Sequence, residues 1–152
     1  MTNSKKIDYK LEHFYPDFDR QKFFDLLTDY KAWTNSELLP DIQIIKPGKD
    51  YPLGLGAVRL VLSEEMRIEE EIVGFRSPEY FSYASRNGVM PVNDFLGKIF
   101  IEEKDGGVLI KYEGSFKPKN TDTGSSFTEI FKSAQKSAFE NLGKTYKTYY
   151  KI

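Results

Sequence analysis

Residues 121–149, TDTGSSFTEIFKSAQKSAFENLGKTYKTY, place apolar side chains at helical spacing: Phe127, Ile130, Phe131, Ala134, Ala138, Leu142, Tyr146 and Tyr149. That spacing predicts one long helix. Thr121 and Asp122 offer side-chain oxygens to the free N–H groups at its start, and Ser125 and Ser126 offer alternative starts a few residues later. On its apolar face, bulky Phe127, Ile130, Phe131 and Leu142 alternate with small Ala134, Ser137 and Ala138. Small residues at mid-helix either let a sheet pack closely or leave a void, and the pattern alone keeps both outcomes open. In the second case Ala134 and Ala138 border a cavity.

Working outward, the 152 residues fit a single domain, 1–152, with enough apolar side chains for a substantial core. Twelve Phe and ten Tyr stand out. A buried phenol needs a hydrogen-bond partner, so many tyrosines point to an amphipathic cavity or a wet surface. Basic and acidic residues nearly cancel to a formal net charge of −1, with no basic run interleaved with aromatics, so nucleic acid is not an expected partner. The absence of cysteine removes disulfides, thiolate metal sites and thiol nucleophiles. The first stretch, MTNSKKIDYK, is polar, and no apolar run is long enough for a bilayer. This predicts a cytoplasmic protein with no stable membrane insertion.

From Lys5 to Tyr15, Ile7, Tyr9, Leu11 and His13 alternate with Asp8, Lys10, Glu12 and Phe14, the period of a half-buried strand. Pro16 and Asp17 break it. A helix carrying Phe23, Phe24, Leu26, Leu27 and Tyr30 then begins at Asp17 or Asp19, and a second short helix holds Trp33, Leu38 and Leu39 as far as Pro40. DIQIIK (41–46) is strand-like, and PGKDYPLGLG (47–56) is a loop with two prolines and three glycines. It matches neither glycine-rich phosphate-binding pattern in the required strand-to-helix setting, so no phosphate cradle is assigned. The segments starting at Gly56, Met66, Glu79, Phe95 and Gly107 follow as strands joined by short turns, which pair antiparallel. The layout is α+β: a strand, two short helices, a meander, and a long helix around which a curved sheet can wrap.

The runs GLGAVRLV (54–61), EEIVGFRSPEYFSY (70–83) and GVMPVNDFLGKIFIEEKDGGVLIKYEGSFKP (88–118) resemble the START-like, or SRPBCC, superfamily. The nearest likeness is to its polyketide cyclase/dehydrase-like branch, and plant hormone receptors are more remote. The resemblance spans nearly the whole chain. It implies a helix-grip fold in which sheet and C-terminal helix enclose an apolar cavity for lipids, hormones, polyketides or other small hydrophobic molecules. The family often carries Trp near the end of the last strand; Tyr112 here adds a hydroxyl to the cavity wall.

By the resemblance, Arg59 and Glu70 are an inward arginine and glutamate on adjacent strands, able to orient a polar group of a ligand. Alternation agrees for Glu70, which shares a face with Ile68 and Ile72, but for Arg59 it favours Val58, Leu60 and Leu62 as the inner residues. Phe81, Tyr83 and Ser85 share one face of their strand, opposite Ser82 and Ala84. Phe95, Ile99 and Ile101 line the next strand, with room at Gly97. Val108, Ile110, Tyr112 and Phe116 form the inner face of the last, where the Tyr112 hydroxyl must find a partner. The expected ligand contacts are thus Arg59, Glu70, Phe81, Tyr83, Phe95, Tyr112 and Phe116 on the sheet, with Ile130, Ala134 and Ala138 on the helix. The loops at Pro47 to Gly56 and Gly88 to Asp94 are expected to form the mouth.

His13, the single histidine, has no Ser or Asp tied to it by spacing, so no catalytic residue is assigned. EEMRIEEE (64–71) divides its carboxylates between two faces without a nearby histidine, and neither a metal nor a cofactor is expected. The leading expectation is binding of a small apolar or amphipathic molecule. A polyketide cyclase/aromatase-like enzyme on the same scaffold and a ligand-gated interaction module are the alternatives, with any protein partner unknown.

Overall fold

The residues that the sequence marks as strand or helix fold as β1 (Ile7–Tyr15), α1 (Arg20–Leu27), α2 (Tyr30–Thr34), β2 (Asp41–Lys46), β3 (Val58–Leu62), β4 (Arg67–Arg76), β5 (Tyr80–Gly88), β6 (Val92–Lys104), β7 (Gly107–Pro118) and α3 (Gly124–Tyr150). This computed structural model describes residues 5–62, 67–88, 92–119 and 124–152. The strands form one antiparallel sheet in the order β1-β7-β6-β5-β4-β3-β2. Asp105 and Gly106 join β6 to β7 with φ of 48° and 77°, the left-handed pair that an Asp-Gly hairpin turn requires.

The register gives the sheet two distinct ends. At one, Ile7 pairs with Phe116, Val92 with Pro118, and Leu62 with Arg67. At the other, Tyr15 pairs with Val108, Arg76 with Tyr80, and Lys46 with Val58. The PGKDYPLGLG loop lies at this Tyr15 end, because it joins β2 to β3 there. The β5–β6 connection lies at the Ile7 end, its residues 89–91 outside those described. The expectation that these two loops share one mouth is therefore overturned by strand register. The β2–β3 loop is instead tied by its own backbone, with Gly48 N–H to Pro52 O at 3.2 Å and Lys49 N–H to Leu55 O at 3.1 Å, and its Leu53 is buried.

Asp19 starts α1 by accepting from Lys22 N–H at 2.9 Å, which satisfies one of the free donors of the first turn. Phe23, Phe24, Leu26 and Leu27 then meet the core, and each fully buried side chain of this size contributes about 1.5–3 kcal/mol relative to exposure. The second short helix stops at Thr34, well before Pro40. Ser36 Oγ accepts from Leu38 N–H at 3.1 Å, a local bond that competes with helix continuation and leaves Leu38 exposed.

α3 runs from the Ile7 end to the Tyr15 end and lies closest to β1. The proposed caps Thr121 and Asp122 fall outside the described residues. Its core-facing stripe differs from the expected one: Phe139, Leu142 and Tyr146 are buried, whereas Ile130 is 55% exposed, Ala134 is exposed and Tyr149 is 52% exposed. The helix is rotated so that Tyr146 can stack on Phe18, with centroids 3.8 Å apart, and the Phe139 carbonyl can accept from Tyr15 Oη at 2.7 Å. No helix among the described residues is long and apolar enough to cross a membrane.

Candidate functional site

Strand pairing sets Tyr83, Gly97, Gly114 and Tyr9 in one row across β5, β6, β7 and β1. Two missing side chains in that row make space for two phenol rings. A β carbon on Gly97 would stand 2.6 Å from Tyr83 Cζ and 2.8 Å from Tyr112 Oη, and one on Gly114 would run into the Tyr9 ring. Both glycines are thus required by the tyrosines that fold over them.

Tyr112 sits two pairs along β7 on the same face; its hydroxyl lies 2.9 Å from that of Tyr83, and its ring centroid lies 5.9 Å from that of Tyr9. Three phenols from three strands therefore line up as a chain, with Tyr83 and Tyr112 joined by a hydrogen bond and Tyr9 packed beside Tyr112. Burial pushes the Tyr9 phenol up to about 12, with the Tyr112 phenol beside it pulling it back. Burial likewise pushes Tyr83 and Tyr112 up, so all three are neutral donors at physiological pH.

Arg59 and Glu70 face each other across β3 and β4, and Arg59 Nε donates to Glu70 Oε1 at 3.0 Å. The guanidinium also lies 5.1 Å from the centroid of the Tyr83 ring, which joins the ion pair to the phenol chain. Arg59 is 6% exposed and Glu70 8%. Alternation along β3 misassigned Arg59 because Val58 and Leu60 are buried too, on the strand's other face. A strand buried on both sides carries no period-two signal. Burial raises the Glu70 carboxyl, and the charge and hydrogen bond of Arg59 pull it back.

The remaining expected contacts divide into two groups. Phe95 and Phe116 meet Phe131 of α3 edge-on at 5.4 and 5.2 Å, and Phe131 stacks on Tyr9 at 6.3 Å, so these rings adjoin the phenol chain. Phe81 packs edge-on against Phe24 of α1 at 6.0 Å, toward the Tyr15 end. Ala138 is half-buried, and Ile130 and Ala134 point away from the sheet. Sequence reasoning passed over Tyr9 and Phe131 as site residues. The signal for Tyr9 was the β1 alternation together with Gly114, but recognising that they are opposite needs the register. His13 is half-buried with its ring 4.5 Å from that of Tyr15; burial lowers its pKa, against an opposing pull from Glu140. No group of three or more His, Asp or Glu residues suited to a metal occurs among the described residues.

A sheet wrapped on a long C-terminal helix, with two short helices after the first strand, is shared with solved structures. Ara h 8.0201 superposes with a TM-score of 0.76 at 15% identity over 95% of this chain and 99% of its own. The chain has the helix-grip fold. Two further helix-grip structures are the XoxI protein from Bacillus cereus, with TM-score 0.68, 15% identity and coverage of 93% and 94%, and a protein from Nitrosospira multiformis, with TM-score 0.68, 13% identity and coverage of 97% and 100%. These neighbours support the START-like resemblance at the level of architecture. No sequence-family profile and no curated protein sequence matches the chain.

Proposed function

We propose that residues 1–152 act as one START-like domain that binds a small apolar or amphipathic molecule between the sheet and the N-terminal half of α3. The observation that carries this reading is the buried Arg59–Glu70 pair beside the Tyr83–Tyr112 hydrogen bond and the adjoining Tyr9 ring. A buried ion pair is seldom more stable than well-packed apolar residues of the same volume, so stability is a poor reason for it. Orientation of a ligand oxygen is a better one. The half-buried state of Phe127 and Phe131 supports access from the Ile7 end.

The test is native mass spectrometry of gently purified protein, followed by titration with an apolar naphthalene dye. A stoichiometric small molecule, or dye uptake that Tyr112→Phe weakens, is the expected result. An empty protein that takes up no dye would overturn the proposal. The polyketide cyclase-like alternative draws on the same residues, since phenols kept neutral by burial can donate to oxygen charge that develops during ring closure. It requires a change in the mass of the bound molecule on incubation, which simple binding does not.

A further inference from the structure

The charge balance of this inner face narrows the ligand class. Among the described residues Arg59 and Glu70 are the only buried charged side chains. An arginine keeps its charge at any pH a protein normally meets, so the carboxylate 3.0 Å away serves as its counter-charge. The pair together brings no net positive charge to the site. On α3, Lys132 is half-buried and Lys136 exposed, where water weakens their pull on a group held deep between helix and sheet.

The phenol chain has a complementary preference. The hydrogen bond between Tyr83 and Tyr112 uses one of their two protons, so a phenol donor is left over for an acceptor oxygen. An uncharged carbonyl, sulfonyl or hydroxyl oxygen meets that donor without bringing in a charge that lacks a partner. The rings of Tyr9, Phe95, Phe116 and Phe131, meeting at 5.2–6.3 Å, favour a flat aromatic body over a flexible alkyl chain.

We infer that this site selects a neutral aromatic or polycyclic molecule carrying an acceptor oxygen, and rejects carboxylate-bearing lipids such as fatty acids. The inference rests on the binding reading above. The rejection comes from the Arg59–Glu70 pairing: the cation that an anionic head group would need is already engaged.

The experiment uses two dyes with the same body, dimethylaminonaphthalene sulfonamide, which is neutral at pH 7, and the corresponding sulfonate, which is anionic. Wild-type protein binds the sulfonamide at least about tenfold more tightly, because a buried charge without a partner is costly. Glu70→Gln frees the guanidinium and improves sulfonate binding at least about tenfold, by restoring a buried counter-charge. Arg59→Met combined with Glu70→Gln abolishes that gain. Equal or tighter binding of the sulfonate by wild-type protein overturns the inference and leaves the binding reading intact. If neither dye binds, the binding reading itself falls. Circular dichroism checks that Glu70→Gln folds; should it not, the wild-type dye pair decides alone.

Discussion

The two halves of α3 face the same sheet and behave differently. Toward the Tyr15 end, Phe139, Leu142 and Tyr146 are buried, Tyr15 Oη donates to the Phe139 carbonyl, and Asp19 N–H donates to Tyr146 Oη at 3.0 Å. Toward the Ile7 end, Phe127 and Phe131 are half-buried; Phe131 meets the sheet through ring contacts with Tyr9, Phe95 and Phe116, and Phe127 stacks on Phe131 at 5.9 Å. One half is held by close packing and backbone hydrogen bonds. The other leaves aromatic surface over a chain of polar groups. A helix can thus lock a fold at one end and keep a face available at the other, and stability and binding should respond to different mutations.

The largest effect is expected in the sealed half. Phe139→Ala removes a side chain that is 1% exposed and should lower unfolding free energy by about 3–5 kcal/mol, read by chemical denaturation. Phe131→Ala in the other half should cost only about 1 kcal/mol of stability, because its ring is already half in water, yet weaken dye binding at least as much. Equal stability losses at the two positions would erase the distinction between the halves.

Glu70→Gln should come next, at about 3 kcal/mol. The amide oxygen can keep the hydrogen bond to Arg59, but the guanidinium loses its counter-charge. Arg59→Met should cost less, since the Glu70 carboxyl, already raised by burial, can take up a proton. The double variant should regain stability but lose the sulfonate binding that Glu70→Gln gains. Small additive effects in denaturation would show that the pair does not matter to the inner face.

Gly97→Ala should cost about 1–3 kcal/mol by pushing the Tyr83 and Tyr112 rings apart, and it should also reduce dye binding. A stable variant with wild-type binding would mean that the phenol chain relaxes freely.

The smallest effect is a difference in alkaline behaviour. The folded pKa of Tyr9 is raised from 10.0 to about 12, so its contribution is fully present below pH 10 and is lost as pH rises through about 12. Burial pushes Tyr15 higher still, so Tyr9 should ionise before it. Tyrosinate absorbance, followed together with fluorescence of Trp33, whose Nε1–H donates to the Leu26 carbonyl of α1 at 3.2 Å, should show ionisation preceding any change in Trp33. Simultaneous transitions would argue for a single cooperative unit.

Much of the fold could be read from local pattern. The β1 alternation, the Asp19 cap, the DIQIIK strand, the Asp-Gly turn and the long amphipathic C-terminal segment each carry a short-range signal that the structure reproduces. The site could be read only in part. Glu70, Tyr83, Phe95, Tyr112 and Phe116 lie inward, as their strand periods require. Arg59 was ambiguous because β3 is buried on both faces, and the helix contacts were misjudged at Ile130 and Ala134.

By itself, then, the sequence determined which segments form strands and helices and that many phenols would need partners, since propensity, alternation and hydrogen-bonding need are properties of neighbouring residues. The tertiary structure alone decided that Tyr9 and Tyr83 close over Gly114 and Gly97 to meet Tyr112, that Arg59 faces Glu70, and that α3 turns Phe139 rather than Ile130 to the core. Each of those depends on strand register or on helix rotation. Long-range packing sets both: Tyr146 against Phe18 and Tyr15 against the Phe139 carbonyl join residues more than a hundred positions apart, beyond the reach of any local pattern.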